Sequence, residues 1–176
     1  MVIDKDGYRA NVGIIVANHQ GQVFLGKRIK QDAWQFPQGG LNANETAEEC
    51  LFRELREEIG LQAQNVKIIA ATNHWLRYKI PKKFLRSKGP RCIGQKQKWF
   101  LLELLGEDSD FNFNFSHKPE FDDWEWVSYW FPLTKVVKFK CEVYRKALQE
   151  LRPKFIQLNA PNLPLTPNYL DSILNK

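Results

Sequence analysis

An α/β architecture, with a mixed sheet packed by helices, follows from three features of this sequence. Short apolar runs rich in β-branched residues, at 12–16 and 23–25, flank "ANHQGQ", a segment suited to a hairpin turn. A helical pattern with a start and a stop signal fills residues 46–60. Three further strand-like runs, 66–72, 98–104 and 124–127, precede a second helical pattern at 143–151. The regular βαβ alternation of a doubly wound domain is missing, and so is a glycine-rich dinucleotide fingerprint.

The elements can be justified in chain order. After the first two strands, "WQFPQGG" leaves regular pairing through Pro37, Gly39 and Gly40, and the two glycines let other groups come close to the backbone. Thr46 with Glu49 three residues later is a capping box, so a helix starts there and stops at Gly60. The segment "RYKIPKKFLRSKGPRCIGQ" has too much Pro, Gly and Lys to be regular and reads as a long basic loop. Beyond Pro153, three further prolines and several asparagines predict a mobile or loosely docked tail over residues 153–176. The folded unit is expected at residues 6–149, one domain for a chain of 176 residues.

Composition narrows the class of protein. Hydrophobic residues make up 43% and aromatic residues 13%, enough for a compact core. No apolar run approaches the roughly 20 residues that cross a bilayer, and the first residues carry charges where a signal peptide would be apolar. A cytoplasmic protein with no membrane partner is expected. Cys50, Cys92 and Cys141 are too scattered for a disulfide framework or a CxxC metal motif. The net charge of +6 conceals blocks: nine basic residues and no acid over 77–102, then eight acids over 103–125, then a basic stretch at 135–154. Such runs are often only solvated faces.

The first helix carries the chemistry. On a helical wheel with Glu54 at zero, Leu51, Leu55, Ile59 and Phe52 form a stripe between about 60° and 160°. Glu57 falls near about −60° and Glu58 near about +40°, so Glu54, Glu57 and Glu58 share a sector bordering that stripe. Desolvation and mutual repulsion both oppose ionisation there and raise the pKa values. Arg53 can meet Glu49 and Glu57 at i, i+4 spacing, as on any salt-bridged helix surface, but one arginine does not neutralise three acids. A hard divalent cation with oxygen ligands does so better.

Gly39, five residues, Glu45, seven residues, and then "RELREEIGL" is a 23-residue pattern, residues 39–61, that resembles the Nudix box with every defined position filled. The resemblance implies an α/β/α sandwich and hydrolysis of a nucleoside diphosphate linked to another group, with Mg²⁺, or Mn²⁺ in its place, as the cofactor. "DGYRANVGIIV", "WQFPQGG", "WLRYKIP", "CIGQKQKWFLL" and "PEFDDWEWVSYW" are similar to the bacterial RNA pyrophosphohydrolase branch over about residues 4–150. It implies metal ligands at Glu54, Glu57, Glu58 and Glu120, with a main-chain carbonyl at Gly39 or Gln38, and Arg53 orienting Glu57. The proton acceptor stays open among Glu54, Glu57 and Glu58, with Glu120 an outsider. Substrate contacts would come from Arg9, Arg28, Gln38, Gly40, Tyr78, Lys98, Val137, Phe139 and Lys140. Ala33 departs from the serine that related sequences carry beside the tryptophan of "WQFP".

A wide basic surface with interleaved aromatics suits an RNA end better than a small nucleotide. The expected substrate is therefore 5′-triphosphorylated RNA, cut to a 5′-monophosphate so that decay of the transcript begins. Two alternatives stand beside it: a diadenosine polyphosphate hydrolase, and a non-catalytic Nudix-like sensor, against which the intact box argues. DNA is not an expected partner, and no segment marks a contact with a partner protein.

Overall fold

The computed structural model describes residues 2–85, 92–116 and 118–160. Eight strands form one mixed sheet: β1 (Tyr8–Ala17), β2 (Gln22–Arg28), β3 (Trp34–Gln35), β4 (Gln38–Gly40), β5 (Val66–Ala71), β6 (Leu76–Lys79), β7 (Gly94–Leu104) and β8 (Phe121–Ser128). The helices are α1 (Ala47–Ile59), α2 (Pro132–Lys135) and α3 (Cys141–Asn159). β1 and β7 run parallel from Tyr8 opposite Gly94 to Ala17 opposite Glu103, and every other pairing is antiparallel.

Along its other edge β1 has two partners. β2 meets it at Ala17 opposite Val23, beyond the hairpin, while β4 pairs with residues 11–13. The two strands thus split, and the glycine-bearing β4 is wedged into the opening. The hairpin turn is closed by Asn18, whose side-chain oxygen accepts from the backbone N–H groups of Gln20 and Gln22.

Alternation along the central strands builds two cores. Val12, Ile14, Val16, Phe100 and Leu102 pack under α1 with Leu51, Leu55 and Ile59; Ile15, Ala17, Trp99 and Leu101 pack under α3 with Tyr144, Leu148 and Leu151. The result is the expected α/β/α sandwich. Burying each of the α1 leucines and Ile59 contributes about 1.5–3 kcal/mol, which is what holds that helix against the sheet. Gly13 lies opposite Trp99 on β7, and a Cβ there would collide with the indole, so glycine makes room for the largest buried side chain.

Several boundaries differ from the sequence reading. β1 starts at Tyr8, and β7 at Gly94, because their polar stretches pair with one another and with β6. Residues 76–79 are therefore strand, and the basic loop is confined to what lies between β6 and β7. Its residues Arg86, Lys88 and Arg91 fall outside the described residues. The tail also begins later than residue 153. α3 continues through Pro153 to Asn159, since Phe155 is buried and stacks on Tyr129 with centroids 4.2 Å apart. That apolar anchor offsets the one backbone hydrogen bond a proline forfeits. Residues 161–176 lie outside the described residues.

Candidate active site

Both ends of α1 are fixed, which sets the register of its acids against β4. The Thr46 hydroxyl accepts from the Glu49 N–H at 3.2 Å, and the Glu49 carboxylate accepts from the Thr46 N–H at 2.8 Å. At the other end Gly60 adopts φ 78° and donates to the Arg56 carbonyl. Glu49 is thus engaged at the cap and does not pair with Arg53, contrary to the i, i+4 expectation. The Arg56 guanidinium lies 4.5 Å over the Phe115 ring.

Arg53 is the hub of the carboxylate face. Its Nε and Nη2 form a fork on Glu45, at 2.6 and 3.0 Å. Nη1 donates to Glu54 at 2.6 Å and to Glu57 at 3.3 Å, and Nη2 also reaches the Gly40 carbonyl at 3.0 Å. One planar cation therefore ties the loop before α1 to two acids on the helix, a task for which guanidinium geometry is suited. In the sequence Glu45 is marked only as a fixed position of the box. Its function here is to hold Arg53, and the charge match across eight residues was the available signal.

β4 presents its two glycines to opposite faces. A Cβ at Gly39 would fall inside the Glu54 carboxylate, and one at Gly40 would fall on the Arg9 guanidinium. Gly39 lies opposite Val12 and Lys98 in one cross-strand row on the α1 face; Gly40, Asn11 and Gln97 form the next row on the α3 face. The Lys98 ammonium donates to the Asn73 carbonyl at 3.3 Å. The Arg9 Nε is buried with no hydrogen-bond partner among the described residues. Such an orphaned cationic donor is expected where an anionic ligand docks.

Glu54 is half-buried, and burial pushes its pKa up, with Arg53 opposing and the Glu57 charge adding. Glu58 is pushed well above the usual carboxylate range by burial first and then by the charge of Glu54, against the Gln38 N–H it accepts from at 3.0 Å; Glu120 raises it further. Glu57 is the exposed member, its side chain 49% accessible against 12% for Glu54. Glu120 meets Arg28, which donates from Nε at 2.8 Å and lies within 2.7 Å through Nη2.

Lys140 is only 8% exposed and donates to the side-chain oxygens of Gln35 and Gln38, each at 3.1 Å. Burial, then the charge of Arg28, bring its pKa down to about 8, against the pull of Glu58 and Glu120. Gln97 donates to Asn11 at 2.6 Å and lies 3.4 Å from Gln38, continuing this polar network across the sheet. Gln35, Asn11 and Gln97 were not singled out in the sequence; their partners lie 86–105 positions away or on another strand, beyond any local pattern. The "WQFP" segment itself is pinned from α3, where the Phe36 N–H donates to the Tyr144 hydroxyl at 3.1 Å.

Further along this face Tyr78 donates to Gln95 at 2.6 Å, and Phe139 stands 6.1 Å from the Tyr78 ring. Val137 is exposed beside them on the turn before α3. The donor set of Glu54, Glu57, Glu58 and Glu120 is all oxygen, its members interact electrostatically, and two of them are crowded above their ordinary pKa. This fits a hard divalent cation. Among the described residues, no three acid, His or Cys side chains already converge on one point, Arg53 and Arg28 being bonded to Glu54 and Glu120. Cys50 is no rival nucleophile, because burial pushes its thiol up to about 12.

The NUDIX domain profile matches residues 7–151. The chain is 60% identical over 154 residues to the RNA pyrophosphohydrolase of Stutzerimonas stutzeri, which covers 87% of this chain and 97% of that protein. It is 58% identical over 153 residues to the RNA pyrophosphohydrolase of Hahella chejuensis, 86% of this chain and 95% of that protein. Among solved structures, the E. coli dihydroneopterin triphosphate pyrophosphohydrolase superposes with a TM-score of 0.66 at 20% identity, covering 81% of this chain and 94% of that one. A C. elegans Ap4A hydrolase binary complex gives 0.58 at 16% identity, covering 82% and 98%. These structural likenesses concern the fold alone. The profile spans the sheet, the box helix and most of α3, and the chain belongs to the Nudix family.

Proposed function

We propose that this chain removes pyrophosphate from the 5′-triphosphorylated end of RNA, leaving a 5′-monophosphate from which decay of the transcript proceeds. The relatives that carry the name RNA pyrophosphohydrolase support this reading, at 57–60% identity over most of both chains. The observation that carries it is a continuity of surfaces: the carboxylate set on α1 is joined through Glu58, Gln38 and Lys140 to a cationic and aromatic face with Arg9, Arg28, Tyr78 and Phe139. A triphosphate needs the first surface, and the nucleotides behind it need the second.

In the reaction water attacks phosphorus, the anhydride bond between the α- and β-phosphates breaks, and pyrophosphate leaves. Glu54, Glu57, Glu58 and Glu120, with the Gly39 carbonyl, would hold a divalent cation, Mg²⁺ in the first instance, whose chemistry is to offset phosphate charge and acidify water. Arg53 keeps Glu54 and Glu57 aimed from α1, and Glu45 keeps Arg53 in place. Gln38 holds one oxygen of Glu58, leaving the other available. One of these carboxylates takes the proton of the attacking water. Lys140, Arg28 and Arg9 supply positive charge for the phosphates of the chain.

The test is release of labelled pyrophosphate from 5′-triphosphorylated RNA with Mg²⁺, in parallel with cleavage of diadenosine tetraphosphate. Turnover of RNA that chelator abolishes and Glu57→Ala lowers at least about a hundredfold supports the proposal. Preferred cleavage of the dinucleotide would overturn the RNA reading. Tight binding without turnover would overturn the catalytic one.

A further inference from the structure

Tyr78, Phe139 and Phe84 form a row of rings that leads from a buried end at Tyr78 to an exposed end at Phe84. Phe139 is 6.1 Å from Tyr78 and tilted 34° to it; Phe84 is 5.5 Å from Phe139 and tilted 33°. Exposure rises along the row, from 8% at Tyr78 to 58% at Phe84. Phe84 sits on a single helical turn, residues 82–84, anchored by its own N–H on the Pro81 carbonyl at 2.8 Å. An isolated exposed ring means little. This one continues a stacking series and lies among cations, since Lys82, Lys83 and Lys138 are exposed and form no ion pair with a carboxylate among the described residues. The Lys83 ammonium rests 5.0 Å over the Phe84 ring.

We propose that Phe84 is the outer shelf of the RNA site, where a base of the third or a later nucleotide stacks while Lys82 and Lys83 contact the adjoining phosphates. This rests on the RNA reading above. The incoming base replaces the Lys83 ammonium over the ring, and the ammonium moves to phosphate, so the cation is kept while the aromatic face changes partner. The site thereby discriminates by length: substrates too short to reach the exposed end of the row gain nothing from Phe84. Specificity for base identity is not expected there, because every base offers a stacking face.

The experiment compares kcat/KM for a 5′-triphosphorylated hexanucleotide and a 5′-triphosphorylated dinucleotide in the full chain and in three variants. Phe84→Ala should lower the hexanucleotide-to-dinucleotide ratio about tenfold. Phe84→Leu, which keeps apolar bulk without a ring, should lower it similarly, and Phe84→Trp should preserve it. An unchanged ratio in Phe84→Ala, or a ratio preserved by Phe84→Leu, overturns the shelf while leaving the RNA reading intact. Equal losses on both substrates assign Phe84 a merely structural role and overturn it as well. Failure of the unaltered chain to release pyrophosphate from either RNA overturns the RNA reading, and the shelf with it.

Discussion

Replacing Gly39 by alanine tests whether the backbone of β4 is shaped around an acid. Gly39 does not use a left-handed φ, so alanine carries no backbone penalty, and any effect comes from the added methyl. That methyl would overlap the Glu54 carboxylate. β4 cannot retreat, because it is paired with residues 11–13 of β1 and flanked by the Ile14 N–H on the Pro37 carbonyl at 2.9 Å and the Leu41 N–H on the Ala10 carbonyl at 3.1 Å. Glu54 must therefore swing away, breaking its 2.6 Å bond to Arg53. The methyl meets only the far end of a flexible side chain, so the swing relieves the clash, and what remains is the loss of a partly buried charged hydrogen bond, about 1.5–3 kcal/mol. Turnover should fall about 10–100-fold, as when a ligand's support is removed. Urea unfolding monitored by tryptophan fluorescence gives the first figure and pyrophosphate release the second. A variant within about 0.5 kcal/mol of the parent that turns over normally would refute the steric reasoning.

Other substitutions probe the same assembly. Glu45→Gln removes the charge from the fork on Arg53, and should cost about 1–2 kcal/mol and lower kcat more than it raises KM, measured by steady-state kinetics. Glu58→Gln keeps an oxygen for the Gln38 N–H but removes a carboxylate whose folded pKa is raised. Such a group binds more protons folded than unfolded, so its contribution favours folding at low pH and is lost as pH climbs from the ordinary glutamate range through the raised value. Urea titrations across pH should show the variant more stable at neutral pH, by about 0.5–2 kcal/mol, with a weaker fall in that window, while turnover collapses.

Some of this was readable in the sequence and some was not, for physical reasons. The α1 acids, their apolar border and the capping box are encoded within one helix, where spacing alone fixes which side chains are neighbours. The close approach at β4 was signalled by paired glycines. By contrast, the start of β1 was hidden because Arg9 and Asn11 are polar strand residues, Arg9 set against Gly40 and Asn11 buried in a hydrogen bond to Gln97 rather than in an apolar core. Glu120 with Arg28, and Lys140 with Gln35, join positions 92 and 105 apart, and no periodicity reports such pairs. Pro153 misled in the other direction, since a helix anchored by Phe155 tolerates one missing donor.

The two glycines of β4 also constrain how the protein can change. They are neighbours along a strand that shows one residue to the carboxylate helix and the next to the guanidinium of Arg9. Inserting or deleting a single residue just before them would swap these outlooks and bring each charge to the wrong side of the same peptide plane. The stretch from Trp34 to Gly40 should therefore accept no alteration of length. Its reading frame in space is as strict as a codon's.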